Sequence, residues 1–271
     1  MGKLIKKNTT IQVGIWITKQ YFELVWFAQD KMTENTPHFC RVNIDTPNSI
    51  QATLVEHMSN HINIQRPLEI KWVTAMLPHK VWSKSIILPH HLNENECDHQ
   101  CRYILENELP IALDELWFDY MTTPLKQGLR LDIFAVRKAV GQTRLIQFLP
   151  LNIKTLDTAV HCLYRAFGYL FKTTPSSNDL FIYQDQQSTI LFRQTPQEWQ
   201  ILSSPNQTNL TELYQQFVQR YEQNIDNILL YCETNNIQFH QPYQQVTSDI
   251  PLIPLGAALW QKDWQQNENR T

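Results

Sequence analysis

The sequence predicts an α/β fold with a duplicated core, a small α+β subdomain inserted into the first half, and a shortened second half. Three observations lead there. Segments with apolar residues at alternate positions or in short β-branched runs are interleaved with segments whose apolar residues recur every three or four positions. The order strand–strand–helix–strand occurs twice. Between the two copies, residues 71–119 read as strand, strand, helix, proline stop and extended run.

The elements follow in order. Ile11 to Ile17 is a strand, and Tyr21 to Phe27, aromatic and β-branched, is a second one antiparallel to it. Phe39 to Ile44 is a third. Ser49 to Ile62 is helical, carrying Ile50, Leu54, Val55 and Met58 on one face. Val73, Ala75 and Leu77 alternate with Trp72, Thr74 and Met76 and return the chain to the sheet. The inserted subdomain runs from Trp82 to Val136. Ile86-Ile87-Leu88 is closed by Pro89, and Asn93 caps a helix whose Glu94, Glu96 and Asp98 suit the positive end of the helix dipole. Pro110 stops that helix because it has no amide hydrogen and clashes one turn back.

Arg144 to Phe148 is helical, Ile153 a short strand, and Thr158 to Phe171 an amphipathic helix. The second copy opens with strands at Leu180–Tyr183 and Thr189–Phe192. It continues with a helix at Leu210–Tyr221, a strand at Asn227–Tyr231 and a last helix at Pro254–Trp260. The expected partition is a first core over 1–81, the insert over 82–137, return helices over 138–178 and a second core over 179–271.

A chain of 271 residues can bury a sizeable core, and 42% hydrophobic with 18% charged residues is an ordinary globular composition. A net charge of −3 carries no polyanion footprint, which argues against direct nucleic-acid binding. No apolar run reaches the ~20 residues that span a bilayer. Lys3, Lys6 and Lys7 have no apolar stretch behind them, so they read as a solvated start and not a secretory signal. Five scattered cysteines point to a reducing compartment and not a disulfide framework. The residues after Trp264 read as a polar tail.

The middle third resembles the PilM family, the actin-like inner-membrane assembly proteins of type IV pili, and within it the shorter competence-protein-A relatives. The resemblance rests on Val73, Ala75, Leu77 and Pro78, on Leu88-Pro89, and on Leu109, Pro110, Leu113, Asp114, Glu115, Leu116, Asp119 and Tyr120. It continues through Asp132-Ile133-Phe134-Ala135-Val136-Arg137-Lys138. It implies an actin-like fold with a ribonuclease-H-like duplicated core. It also implies a groove between the first core subdomain and the insert that receives the N-terminal cytoplasmic tail of a PilN-like bitopic membrane protein. From where the elements should lie, the groove would use Val73, Ala75, Trp82, Ile86, Leu88 and Ile104. The implied protein is a cytoplasmic scaffold held at the inner membrane by its partner, in a pilus or competence DNA-uptake machine. A pilus ATPase is a further implied partner, and self-association is left open.

Actin-like ATPases bind phosphate with glycine turns, where the backbone can approach the ligand and present its amides. This chain has six glycines. At the first turn Val13-Gly14-Ile15 persists, but Trp16 stands for the family's acid, Thr18 for its second glycine, and Lys19 and Gln20 for small residues. At the second, Tyr183 replaces the acid and Asp185 the glycine; only Ser188 and Thr189 match. Ser203-Ser204 and Cys232-Glu233 stand where two further glycine turns would be, and Gly256 alone keeps its place, where helix packing also accounts for it. The expectation is a pseudo-ATPase without a cofactor. ATP with magnesium is a ligand that the lost glycines disfavour, and Asp185, read as an exposed turn carboxylate, is the remaining candidate for the metal. Two alternatives stay open: an active ATPase of the same fold, and a type II secretion adaptor of a secretion ATPase, against which the absence of a following membrane span argues.

Other chemistry-bearing clusters have plain explanations. Cys97 and Cys101, near His90, His91 and His99, lie on one helix face, but their spacing fits no usual zinc pattern and they read as small buried hydrophobes. Asp114, Glu115 and Asp119 read as a solvated rim, with nothing to separate their pKa values. His161 and Cys162 are consecutive on a helix, which sends their side chains apart. Eight tryptophans are many; Trp72 and Trp26 suit a core, while Trp82, flanked by Lys80 and Lys84, suits a partly exposed anchor.

Overall fold

A computed structural model describes residues 9–27, 36–59, 68–172, 175–206, 208–222, 224–234 and 237–260. Lys3, Lys6, Lys7, residues 60–62 of the expected first helix and the expected polar tail lie outside the described residues. The chain divides into two compact units, one made of residues 1–76, 145–174 and 248–271, the other of 77–144 and 175–247.

In the first unit, β1 (Thr9–Ile17), β2 (Tyr21–Phe27), β3 (Pro37–Asn43), β4 (Leu68–Met76) and β8 (Thr155–Thr158) form one sheet in the order β3-β2-β1-β4-β8. The first three strands are antiparallel, and β4 and β8 continue the sheet in parallel. Period-two alternation places Ile11, Val13, Ile15, Phe22, Leu24 and Trp26 on one face. There they form a core with Ile50, Leu54 and Met58 of α1 (Ile50–Ser59) and with Trp72, Phe148, Leu151 and Ile153.

The opposite face is covered by α6 (Leu252–Ala258), every residue of which is buried, and α6 in turn packs on α4 (Ala159–Phe171). Glycines make this possible. A Cβ on Gly14 of β1 would lie 1.9 Å from the Pro254 carbonyl oxygen, and one on Gly256 of α6 would lie 1.7 Å from the Cys162 carbonyl oxygen. Gln12 Nε2 donates to the carbonyls of Ala257 and Ala258 at 3.0 and 2.8 Å, satisfying acceptors that the end of α6 leaves open.

The second unit repeats the topology. β9 (Asp179–Gln184), β10 (Ser188–Gln194), β11 (Trp199–Pro205), β12 (Asn227–Cys232) and β13 (Gln244–Val246) lie in the order β11-β10-β9-β12-β13. Here α5 (Leu210–Tyr221), capped by the Asn209 side chain, packs Leu210, Leu213 and Phe217 against Leu180, Ile182, Leu191 and Leu230. The duplicated core is therefore present, and each copy has five strands.

The same unit contains the inserted subdomain: β5 (Trp82–Leu88), α2 (Glu94–Glu108), β6 (Leu116–Pro124) and β7 (Leu129–Arg137), with strand order β5-β7-β6. A complete capping box between Asn93 and Glu96 opens α2. One face of the sheet takes Cys97, Cys101, Ile104 and Leu105 of α2. The other carries a buried polar cluster at Arg130 and Asp132. Arg130 Nε meets Asp132 Oδ2 at 3.0 Å, and Arg130 Nη1 donates to the Thr195 carbonyl at 2.6 Å. Ser85 Oγ donates to Asp132 at 2.5 Å and accepts the Trp199 amide at 3.1 Å. The insert is thus fastened to the β10–β11 turn by a paired and hydrogen-bonded charge cluster, which is how buried charges are tolerated.

Several expectations need correction. Ile153 is buried core and not a strand; the strand is β8, two residues later. β11 was not anticipated, because Gln200, Ser203, Ser204 and Pro205 read as loop although they pair along β10. The helix expected at Arg144–Phe148 is α3 (Lys138–Ile146), which starts directly at the end of β7. The last helix begins at Leu252, with Pro254 in its first turn, where a missing amide hydrogen costs nothing. That helix was assigned to the second core, yet it is held in the first unit by the two close-approach glycines.

Candidate functional site

The first β-hairpin turn, Ile17 to Tyr21, is closed by its own hydroxyl. Thr18 Oγ1 accepts the amides of Gln20 and Tyr21 at 3.3 and 2.9 Å and donates to the Tyr21 carbonyl at 3.0 Å. The Thr18, Gln20 and Tyr21 amides are thus engaged within the turn itself. Trp16 of β1 is buried at 2% exposure.

The second turn reaches the same end with a carboxylate. Asp185 Oδ1 accepts the amides of Gln187 and Ser188 at 2.8 and 2.7 Å and the Ser188 hydroxyl at 3.2 Å. Its Oδ2 accepts the Tyr183 hydroxyl at 2.9 Å. Asp185 is 6% exposed, so the exposed turn carboxylate expected from sequence is in fact buried. Burial pushes its pKa up, against the opposing pull of these hydrogen bonds. The side chain puts a carboxyl group of the chain's own against two adjacent amides, an arrangement that otherwise attracts phosphate.

The remaining loop positions are similarly engaged. Ser203 and Ser204 sit in β11, paired opposite Ile190 and Thr189. At Cys232-Glu233 the Glu233 amide donates to the Gln184 carbonyl at 2.9 Å, and the Cys232 thiol to the Gln184 side chain at 3.5 Å. Gly256 serves the contact between α6 and α4.

The partner residues expected from sequence separate into two groups. Val73 and Ala75 are buried in β4 of the first unit at 1% and 0% exposure and offer no surface. Trp82, Ile86 and Leu88 point from β5 into the cluster under α2, where they meet Ile104, itself buried. Ile87, which sequence reasoning passed over, is the outward residue of that strand at 51% exposure.

The insert also carries a cleft of about 770 Å³ between α2 and β6. It is lined by Asp98, Arg102, Leu113, Asp114, Leu116, Trp117, Phe118, Asp119, Tyr120 and Lys138. The guanidinium of Arg102 lies 5.2 Å from the Phe118 ring and is paired with Asp98 at 2.7 Å. The carboxylates Asp114, Glu115 and Asp119 are exposed, as a rim would be.

Cys97 and Cys101 are buried at 1% and 0%, and burial pushes the Cys101 thiol up to about 12. These are packed thiols. Among the described residues no cluster of three or more metal-ligating side chains occurs. His161 and Cys162 reach different oxygens of one carboxylate. Asp157 of β8, two residues before α4, lies 3.5 Å from His161 Nδ1 and 3.6 Å from Cys162 Sγ, and pairs with Arg165. Burial would raise the Asp157 pKa, but Arg165 and His161 hold it well below the usual carboxylate range. Burial and the Asp157 charge keep the Cys162 thiol protonated, so this is an internal tie and not a nucleophile pair.

The chain matches no protein-family model and no curated protein. It is similar to the cytoplasmic domain of EpsL, an inner membrane component of the type II secretion system of Vibrio cholerae, at a TM-score of 0.55 and 11% identity, covering 94% of each chain. It is also similar to a PilM–PilN type IV pilus biogenesis complex at a TM-score of 0.53 and 13% identity, covering 82% of this chain and 81% of that one. The fold is accordingly actin-like, of the form shared by these two assemblies, which bears out at the level of fold the resemblance read from residues 73–138. No helix among the described residues is long and apolar enough to cross a membrane.

Proposed function

We propose that the chain is a non-enzymatic cytoplasmic scaffold of a type IV pilus or related secretion machine, bound to the N-terminal cytoplasmic tail of a PilN-like bitopic protein. The observation that carries this reading is the pair of closed turns: Thr18 and Asp185 occupy with side chains the amides that an actin-like ATPase keeps for phosphates. A fold of this kind without nucleotide chemistry is suited to holding partners in register. The likeness to a pilus complex supports the partner class, and a place at the inner membrane through that partner follows. Use in competence DNA uptake, with no direct contact to DNA, fits the acidic net charge of −3.

The tail peptide of the bitopic protein encoded beside this chain, titrated calorimetrically, should bind saturably. Absence of heat with that peptide at 100 μM concentrations would contradict the proposal. The wider coverage of the EpsL match favours one second reading, an adaptor in a type II secretion assembly. Under that reading the same titration is silent and a secretion ATPase binds instead.

A further inference from the structure

The stretch that ends α3 and leads into β8, residues 145–154, sends apolar side chains in two directions. Phe148, Leu151 and Ile153 enter the core of the first unit, and the Phe148 ring centroid lies 6.1 Å from that of Phe22. Ile146 and Leu149 point outward at 63% and 59% exposure, more than any other large aliphatic side chain among the described residues. The Leu149 amide donates to the Ile146 carbonyl at 3.2 Å, which keeps the two one turn apart, and Pro150 is exposed beside them. A solitary exposed aliphatic is ordinary; two adjacent ones held out on a buried base form a fixed projection that gains from leaving water.

The backbone of this projection is self-sufficient. The amides of Phe148, Leu149 and Leu151 donate to the carbonyls of Leu145, Ile146 and Phe148 at 3.0, 3.2 and 2.9 Å, and Pro150 has no amide hydrogen. No amide donor between 148 and 151 is left for a partner strand, and none would be stranded in the apolar margin of a bilayer. The local chain is also cationic. Residues 133–156 contain Arg137, Lys138, Arg144 and Lys154 and no carboxylate, in a chain of net charge −3. Arg144 is half-buried, and Lys154 carries the exposed charge within the segment itself. An anionic headgroup layer meets attraction and no like charge from this stretch.

We propose that Ile146 and Leu149 dip into the surface of an anionic bilayer, with Lys154 against the phosphates at its rim. Two aliphatic side chains and one exposed cation make a weak, reversible contact, far short of the dual anchors that fix a protein to a membrane. A bitopic partner that tethers the chain at the surface raises the effective concentration and completes the attachment. The contact itself requires no partner, so it stands or falls apart from the scaffold reading.

The full chain is sedimented at millimolar lipid with vesicles of phosphatidylglycerol and phosphatidylcholine in equal parts, and with phosphatidylcholine alone. Retention on the anionic vesicles is expected, weakening as salt rises. Ile146→Ser with Leu149→Ser, both exposed and so without effect on the melting temperature, should lower the partition coefficient at least ~10-fold. Lys154→Glu should lower it on anionic vesicles and leave the result on phosphatidylcholine alone unchanged. Lys3→Ala, Lys6→Ala and Lys7→Ala together control for the basic start of the chain. No retention of the parent on anionic vesicles would overturn the proposal. So would equal retention of the parent and the serine variant, or a loss confined to the triple alanine variant. Light scattering supplies the last arm: a parent dimer that the serine changes dissociate, with no vesicle binding, gives this projection to a second copy of the chain instead. A PilN-like tail that binds in solution while vesicles retain nothing leaves the scaffold reading intact and removes this inference.

Discussion

Gly256→Ala tests the close packing that holds α6 in place. The added Cβ would sit 1.7 Å from the Cys162 carbonyl oxygen, 2.3 Å from its carbon and 2.6 Å from the Cys162 Cα. All three atoms are backbone, so no side chain can swing aside. An ordinary contact begins near 3.4 Å, and α6 must retreat from α4 by about 1.7 Å to reach it. That retreat stretches the 2.8 Å bond from Arg165 Nε to the Gly256 carbonyl. On its other side α6 meets β1 at Gly14, where no slack exists either. Overpacking usually costs ~1–3 kcal/mol, and a clash bounded by backbone on both faces belongs at the upper end, about 3 kcal/mol. For a chain of this size that lowers the melting temperature by roughly 6–12 °C. The melt can be followed by tryptophan fluorescence, since Trp16, Trp26 and Trp72 are all buried in the first unit. A variant that melts within ~2 °C of the parent would refute the packing role of Gly256 and return that glycine to the list of candidate nucleotide contacts.

Other consequences follow from named contacts. Because burial raises the Asp185 pKa, its stabilising contribution is fully present below the unfolded-chain value near ~3.9 and is lost as pH rises through the folded value. Asp185→Asn keeps an oxygen for the Gln187 and Ser188 amides, so urea unfolding at pH 7 should show no loss of stability and a flatter dependence between pH 4 and 7. A loss above ~1 kcal/mol at pH 7 contradicts the reading. Arg130→Met leaves Asp132 buried without its cation and should cost about 3–5 kcal/mol by the same assay, with part of it recovered in the double variant carrying Asp132→Asn.

Much of the fold was legible because alternation and capping are local. Asn93 with Glu96, Thr158 before α4, and the runs at Ile11–Ile17 and Leu180–Tyr183 declare their elements without help from the rest of the chain. β11 was hidden because a strand rich in serine and glutamine gains its conformation from pairing with β10, and β13 is only three residues long. The scarcity of glycines at the two turns was visible in sequence, but what engages the turn amides was not. That Thr18 and Asp185 turn their side chains back onto the freed amides depends on turn geometry. The burial of Val73, Ala75 and Ile104 likewise depends on which face of each element is covered. The Arg130–Asp132 pair gave no sign either, since charges on a strand ordinarily read as solvent-facing.

The most direct measurement of the central claim is a calorimetric titration of the chain with magnesium-ATP. With both turns occupied by Thr18 and Asp185, no saturable heat is expected at millimolar nucleotide. Saturable binding, lost on removal of magnesium, would show that the turns open to phosphate and that the account of a closed site is wrong.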